Sequence, residues 1–173
     1  MSALLDKLKG GDLRSIGRSN AVVRQIHGQP AFDQLFKGMF DDDRLVVMRS
    51  ADAIEKITAL TPRYLKPHKK SLIRLIRSAR DKELKWHLAL LVSRVALGQI
   101  EIGEIWHRVT GWATDGNESK IVRVNSVQCL FELLKQYPRL TSDFRQTLVN
   151  LESQGVPSIT ARIKKLKKQM GES

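Results

Sequence analysis

The stretch Asp43-Arg44-Leu45-Val46-Val47-Met48-Arg49-Ser50-Ala51-Asp52-Ala53-Ile54-Glu55-Lys56-Ile57 decides the fold. Its apolar residues return at helical rather than strand spacing, and Thr61-Pro62 closes it, because proline disfavours the helical conformation of the residue before it. The pattern also repeats. Moving back 31 positions sets Asp43 on Asp12, Arg49 on Arg18, Ser50 on Ser19, Ile54 on Val23 and Ile57 on Ile26. Moving forward 38 sets Asp43 on Asp81, Ala51 on Ala89, Ala53 on Leu91, Ile54 on Val92 and Ile57 on Val95. A further 38 gives Val127, Cys129, Leu130 and Leu133, with Pro62 on Pro138. A fixed period of this length is the mark of stacked supersecondary units.

A second amphipathic stretch precedes each copy: Phe32, Leu35, Phe36, Met39 and Phe40, then Leu72, Ile73, Leu75, Ile76 and Ala79, then Ile102, Ile105, Trp106 and Val109. Another begins with Phe144, Leu148 and Leu151. Gln29-Pro30, Thr61-Pro62 and Tyr137-Pro138 separate the units. Gly10-Gly11-Asp12, Asp41-Asp42-Asp43 and Gly116-Asn117-Glu118-Ser119 mark turns where an acid or hydroxyl can cap the next helix. The expectation is an all-α chain, an α-α superhelix of about five helical hairpins, forming one domain over 1–173. Its units fall near 1–29, 30–62, 63–98, 99–138 and 139–170. The fifth, from Val156-Pro157 onward, reads as a degenerate, cap-like remnant.

A two-helix repeat with Asp at the inner turn and Arg early in the second helix resembles the HEAT repeat, an armadillo-like α-solenoid. Asp12 with Arg18 and Asp43 with Arg49 carry the resemblance. The third unit keeps Asp81 but has His87 in the Arg slot, and the fourth has Ser119 and Asn125. The resemblance implies a solenoid whose second helices line a concave face. It is specific for fold rather than for function.

Composition bounds the function. The 173 residues suffice for one apolar core. The longest apolar run, Leu88 to Val92, is far short of the roughly 18 residues a membrane span needs. The N-terminus carries charges where a secretory signal is apolar. Cys129 is the one cysteine, which suits a reduced, cytoplasmic protein. The net charge of +12 is concentrated. Arg63, Lys66, Lys69, Lys70, Arg74, Arg77, Arg80, Lys82 and Lys85 crowd 63–85 against Asp81 and Glu83, and Arg162, Lys164, Lys165, Lys167 and Lys168 stand together without an acid. These two segments account for all of the net charge, so an acidic partner is expected.

If a helix reaches back to Arg63, then Arg63, Lys66, Lys70, Arg74 and Arg77 share one face of it, opposite Leu72, Leu75, Ile76 and Ala79. This is a first helix of its unit, so the stripe belongs to the outer layer, for an acidic partner or for phosphate. The run around Lys164, Lys165, Lys167 and Lys168 is either a final helix or a mobile tail.

Catalysis finds little support. Asp41-Asp42-Asp43 reads as a cap rather than a metal cluster. His27, His68, His87 and His107 show no zinc spacing, and no cofactor fingerprint is present. HEAT-like alkylpurine DNA glycosylases are basic helical solenoids with tryptophans at the lesion, a weaker resemblance. Trp86 and Trp106 fall on apolar positions, whereas Trp112 lies beyond the stripe and is expected to be exposed. The row Gln25, Lys56, Arg94 and Glu132 along the second helices is mixed in charge, unlike a duplex-gripping face. The leading expectation is a non-catalytic adaptor or scaffold that binds a protein. Nucleic-acid binding through the basic segments is the alternative, and a HEAT-like glycosylase is a minor one.

Overall fold

The structure, a computed structural model, describes residues 3–10 and 17–172, the side chains of Ala3 and Arg18 excepted. Among these residues the regular secondary structure is all helical. In chain order the first helices are α1 (Ala3–Asp6), α2 (Gly17–Val23), α3 (Gln29–Lys37), α4 (Arg44–Leu60), α5 (Lys69–Ser78) and α6 (Lys82–Val92). α7 (Gln99–Thr114), α8 (Lys120–Gln136), α9 (Thr141–Ser153) and α10 (Pro157–Gln169) follow. Short 3₁₀ segments cover Gly38–Phe40, Pro62–His68 and Pro138–Leu140. No described helix is long and apolar enough to cross a membrane.

Local chemistry explains the boundaries. Asp43 and Asp81 cap α4 and α6, their Oδ1 atoms accepting from the amides of Leu45 at 2.8 Å and Glu83 at 2.9 Å. Ser119 caps α8, its Oγ accepting from Val122 N at 3.4 Å. The Asp41-Asp42-Asp43 run is thus a turn: Asp41 Oδ1 accepts from the amide of Asp43 at 2.9 Å. Asp12 lies outside the described residues, as does the side chain of Arg18. α4 and α8 end alike. Thr61 (φ −133°, ψ 66°) and Tyr137 (φ −129°, ψ 71°) each stand before a proline that opens a 3₁₀ segment. This matched geometry, 76 positions apart, is the backbone form of the sequence repeat.

The chain divides into two compact units, residues 1–70 and 71–173. In the first, α4 packs on α2, α3 and the two flanking 3₁₀ segments, and α1 packs on α3. Leu8, Val22, Phe32, Leu35, Val46, Ala53 and Ile54 are fully buried. Gly38 is needed for this packing rather than for its φ of −62°. A Cβ there would fall on Ser50 Oγ and lie 2.8 Å from Leu5 Cδ2 and 3.1 Å from Ser50 Cβ. The Ser50 Cβ cannot rotate away. Gly38→Ala is therefore expected to cost about 1–3 kcal/mol through overpacking. Urea denaturation checks this, and Gly38→Ala combined with Ser50→Gly should recover part of the loss.

A polar clasp ties the segment Pro62–His68 to α3. Asp33 Oδ1 lies 2.7 Å from Gln29 Nε2 and 2.6 Å from His68 Nε2, and His68 stacks on Phe36 with ring centroids 4.0 Å apart. Gln29 Nε2 also donates to Tyr64 O at 3.0 Å. The hydrogen bond from Gln29, followed by that of His68, holds the Asp33 carboxyl below its ordinary value of 3.8 against the opposing effect of burial. A depressed folded-state pKa gives stability that is present above the unfolded value and lost as pH falls through the folded one. Asp33→Asn should remove that contribution. The stability gap between wild type and variant is expected to narrow as pH falls below about 4 in urea titrations at stepped pH.

In the second unit α8 is central, packing on α6, α7, α9 and α10. Val122, Val127, Cys129, Leu130 and Leu133 are fully buried. Burial, with the nearby Glu132 charge, pushes the Cys129 thiol up, so it stays protonated and unreactive. The fifth pair corrects the sequence expectation of a remnant. α9 and α10 have 13 residues each and bury Phe144, Leu148, Leu151, Ile159, Ile163 and Leu166. Pro157 opens α10 at a position where its missing N–H costs nothing, so a break in the sequence is the start of a helix.

Candidate interaction surface

Two members of the second-helix row, Arg94 and Glu132, meet where α6, α8 and α10 pack together. Arg94, just past α6, and Glu132 of α8 line one groove of about 260 Å³ with Leu90, Ser93 and Gln128. The groove is held by hydrogen bonds between the helices. Gln136 Nε2 donates to Ser93 O at 2.6 Å, and Arg162 of α10 donates to Gln128 Oε1 at 2.6 Å. Gln128 Nε2 donates to Glu132 Oε1 at 2.8 Å, and Lys135 Nζ reaches Glu132 Oε2 at 2.8 Å. Ile121, at 48% exposure, adds an apolar residue to the face of α8 that holds Gln128 and Lys135. The sequence reading missed Arg162 as a member of this surface. It follows Glu132 by 30 positions rather than 38, so the fixed period did not reach it.

In the first unit the equivalent residues are also engaged locally. Lys56 Nζ donates to Asp52 Oδ2 at 2.6 Å and Asn20 Oδ1 at 2.7 Å, and Gln25 Oε1 accepts from Lys7. In each unit, then, the row's residues combine donors and acceptors rather than cations alone.

The basic stripe is not one helix face. Pro67, which lacks an amide hydrogen, stands in a 3₁₀ segment, so Arg63 and Lys66 precede α5 instead of belonging to it. Arg63, Lys66 and Lys70 are exposed in the first unit, while Arg74 and Arg77 are exposed in the second. Arg77 is also neutralised. Its guanidinium grips Glu104 of α7 through Nε and through Nη2 at 2.6 Å, which holds the Glu104 carboxyl below its ordinary range. The acid comes from 27 residues away, so no local reading of the stripe shows it. Lys164, Lys165 and Lys168 are exposed on α10, and Lys167 pairs with Glu152 at 2.7 Å. The C-terminal run is thus a packed helix, not a tail.

Trp112 corrects the sequence reading. It is 6% exposed, because α7 continues past Gly111 to Thr114 and places it on one stripe with Ile105 and Val109. The Lys85 Nζ sits 5.9 Å from its ring centroid and pairs with Glu118. Burial, with the Arg108 charge, holds the Lys85 ammonium below its ordinary range, opposed by Asp115. Trp106 is buried as expected, edge-on to Phe144, and Trp86 is half-buried. No group of three or more His, Cys, Asp and Glu side chains suited to a metal occurs among the described residues.

The family model for the HEAT repeat domain matches residues 13–170. The chain belongs to the HEAT-repeat family. No curated protein and no solved structure is significantly similar to it. The HEAT arginine has a physical role here. Arg49, 4% exposed, donates to the carbonyls of Leu8 at 2.6 Å and Gly10 at 2.7 Å, satisfying groups left open where α1 ends. His87 is buried in the corresponding slot of the third repeat. In the fourth, Asn125 holds the slot but Arg123 is the buried arginine, donating from Nε to Ala113 O at 2.9 Å and from Nη2 to Gln154. HEAT repeats are packing units, generally without catalytic function.

Proposed function

We propose that this HEAT-repeat chain is a non-catalytic interaction module that binds a protein partner through the α6–α8–α10 surface. The observation that carries this reading is the groove where Arg94, Gln128 and Glu132 meet, flanked by Lys135 and Arg162. Its donors and acceptors alternate, and exposed Ile121 lies two turns before Gln128 on the same face of α8. A polypeptide offers both kinds of group along with apolar side chains, whereas a phosphate backbone offers acceptors alone. The groove holds no nucleophile paired with a base, which supports binding over chemistry. A single buried thiol fits a reducing, cytoplasmic setting.

Nucleic-acid binding through Arg63, Lys66, Lys70, Arg74 and Lys164 to Lys168 is the rival reading, favoured by the charge of +12. A salt titration separates the two. Weak duplex or single-strand binding that vanishes by about 150 mM salt is the non-specific background of a basic protein. Tight retention at that salt, with log affinity falling linearly against log salt and Arg94→Glu without effect, would replace the protein-binding reading with the nucleic-acid one.

A further inference from the structure

We propose that the outward groove between α9 and α10 is a second docking site, one that takes an acidic amphipathic helix of a protein partner. Glu152, Thr160, Lys164, Lys167, Lys168 and Glu172 line an open groove of about 730 Å³ there. Its two carboxylates are already engaged. Glu152 holds Lys167 at 2.7 Å, and Glu172 receives Arg145 of α9 at 2.7 Å. The charges left over are Lys164 and Lys168, both exposed, and no described residue forms an ion pair with either. They stand one turn apart on the face of α10 opposite the buried Ile159, Ile163 and Leu166. On α9, Val149 is 59% exposed and shares a face with Arg145 and Glu152. The groove thus combines uncompensated positive charge with lysine methylene stems, and an exposed aliphatic residue stands on the face of α9 that carries Glu152.

That combination selects the partner. Two 13-residue helices present a ridge-and-groove surface about 20 Å long, which suits a third helix. Acids at i and i+4 on that helix match the spacing of Lys164 and Lys168, and an aliphatic residue beside them meets Val149 and the lysine stems. No aromatic residue lines the groove to stack a base, which disfavours single-stranded nucleic acid. The site lies on the side of α10 away from Arg162, so it goes beyond the α6–α8–α10 reading and stands or falls apart from it.

The test uses the full chain and three labelled probes in fluorescence anisotropy at 150 mM salt. These are a capped 20-residue amphipathic peptide with glutamates at i and i+4 beside leucines, a scramble of the same composition, and a 20-nucleotide single strand. The amphipathic peptide should bind at least about tenfold tighter than the scramble. Lys164→Glu with Lys168→Glu should weaken it about tenfold or more, while circular dichroism stays unchanged and Arg94→Glu has no effect. Lys164→Gln with Lys168→Gln should give a smaller loss in the same direction. Equal binding of peptide and scramble, or no loss in either double variant, would overturn the proposal. Tighter binding of the oligonucleotide, lost in the same variants, would reassign the groove to phosphate.

Discussion

Phe144→Ala is expected to destabilise the second unit by about 3–5 kcal/mol, as truncating a fully buried phenylalanine does. Phe144 has no exposed surface and makes ring contacts to Trp106 of α7 at 6.4 Å and Phe131 of α8 at 6.2 Å. It therefore joins the last helix pair to the one before it. Truncation leaves a cavity where three aromatic rings meet, and α9 cannot collapse into it without withdrawing Leu148 and Leu151 from their buried sites. Urea denaturation followed by far-ultraviolet circular dichroism measures the effect. A loss below about 1 kcal/mol would mean that the last pair is the loosely attached remnant the sequence suggested.

Arg123→Met should have the next largest effect, a loss of about 3 kcal/mol. Methionine is close to the arginine stem in volume, so the variant removes the guanidinium and keeps most of the packing. The carbonyl of Ala113 and the side-chain oxygen of Gln154 then lose a charged donor inside the protein. Gln154 also bridges to Thr114 O at 3.4 Å, so one arginine secures the end of α7, α8 and the end of α9. Arg123→Lys should recover little, because an ammonium cannot reproduce the planar fork that reaches both acceptors. Near-equal stability of wild type and the methionine variant in urea would show that the buried charge contributes no net stabilisation.

The fold was legible because the same local chemistry recurs in the sequence. Asp43, Asp81 and Ser119 announce helix starts, Pro62 and Pro138 announce ends, and the apolar positions keep register between them. The last pair was hidden for a local reason. Val156 offers no side-chain cap, and Pro157 reads as a break although it occupies the first turn of α10. Trp112 was misplaced because Gly111 looked like the end of a stripe, while the spacing of Ile105, Val109 and Trp112 in fact continues it. The surface was half legible. Arg94 and Glu132 were found by register and do line one groove. Arg162 escaped because the last spacing shortens, and the neutralisation of Arg77 by Glu104 depends on tertiary contact that no local pattern records.

The central claim is that the α6–α8–α10 surface is where a protein partner binds. A photo-crosslinking side chain placed at Gln128 tests it most directly, with His107 on the exposed side of α7 as the control position. The expected result is a discrete, nuclease-resistant protein adduct at Gln128, absent at His107 and lost when Arg94→Glu is introduced. Adducts of equal yield at both positions, or adducts that nuclease removes, would contradict it.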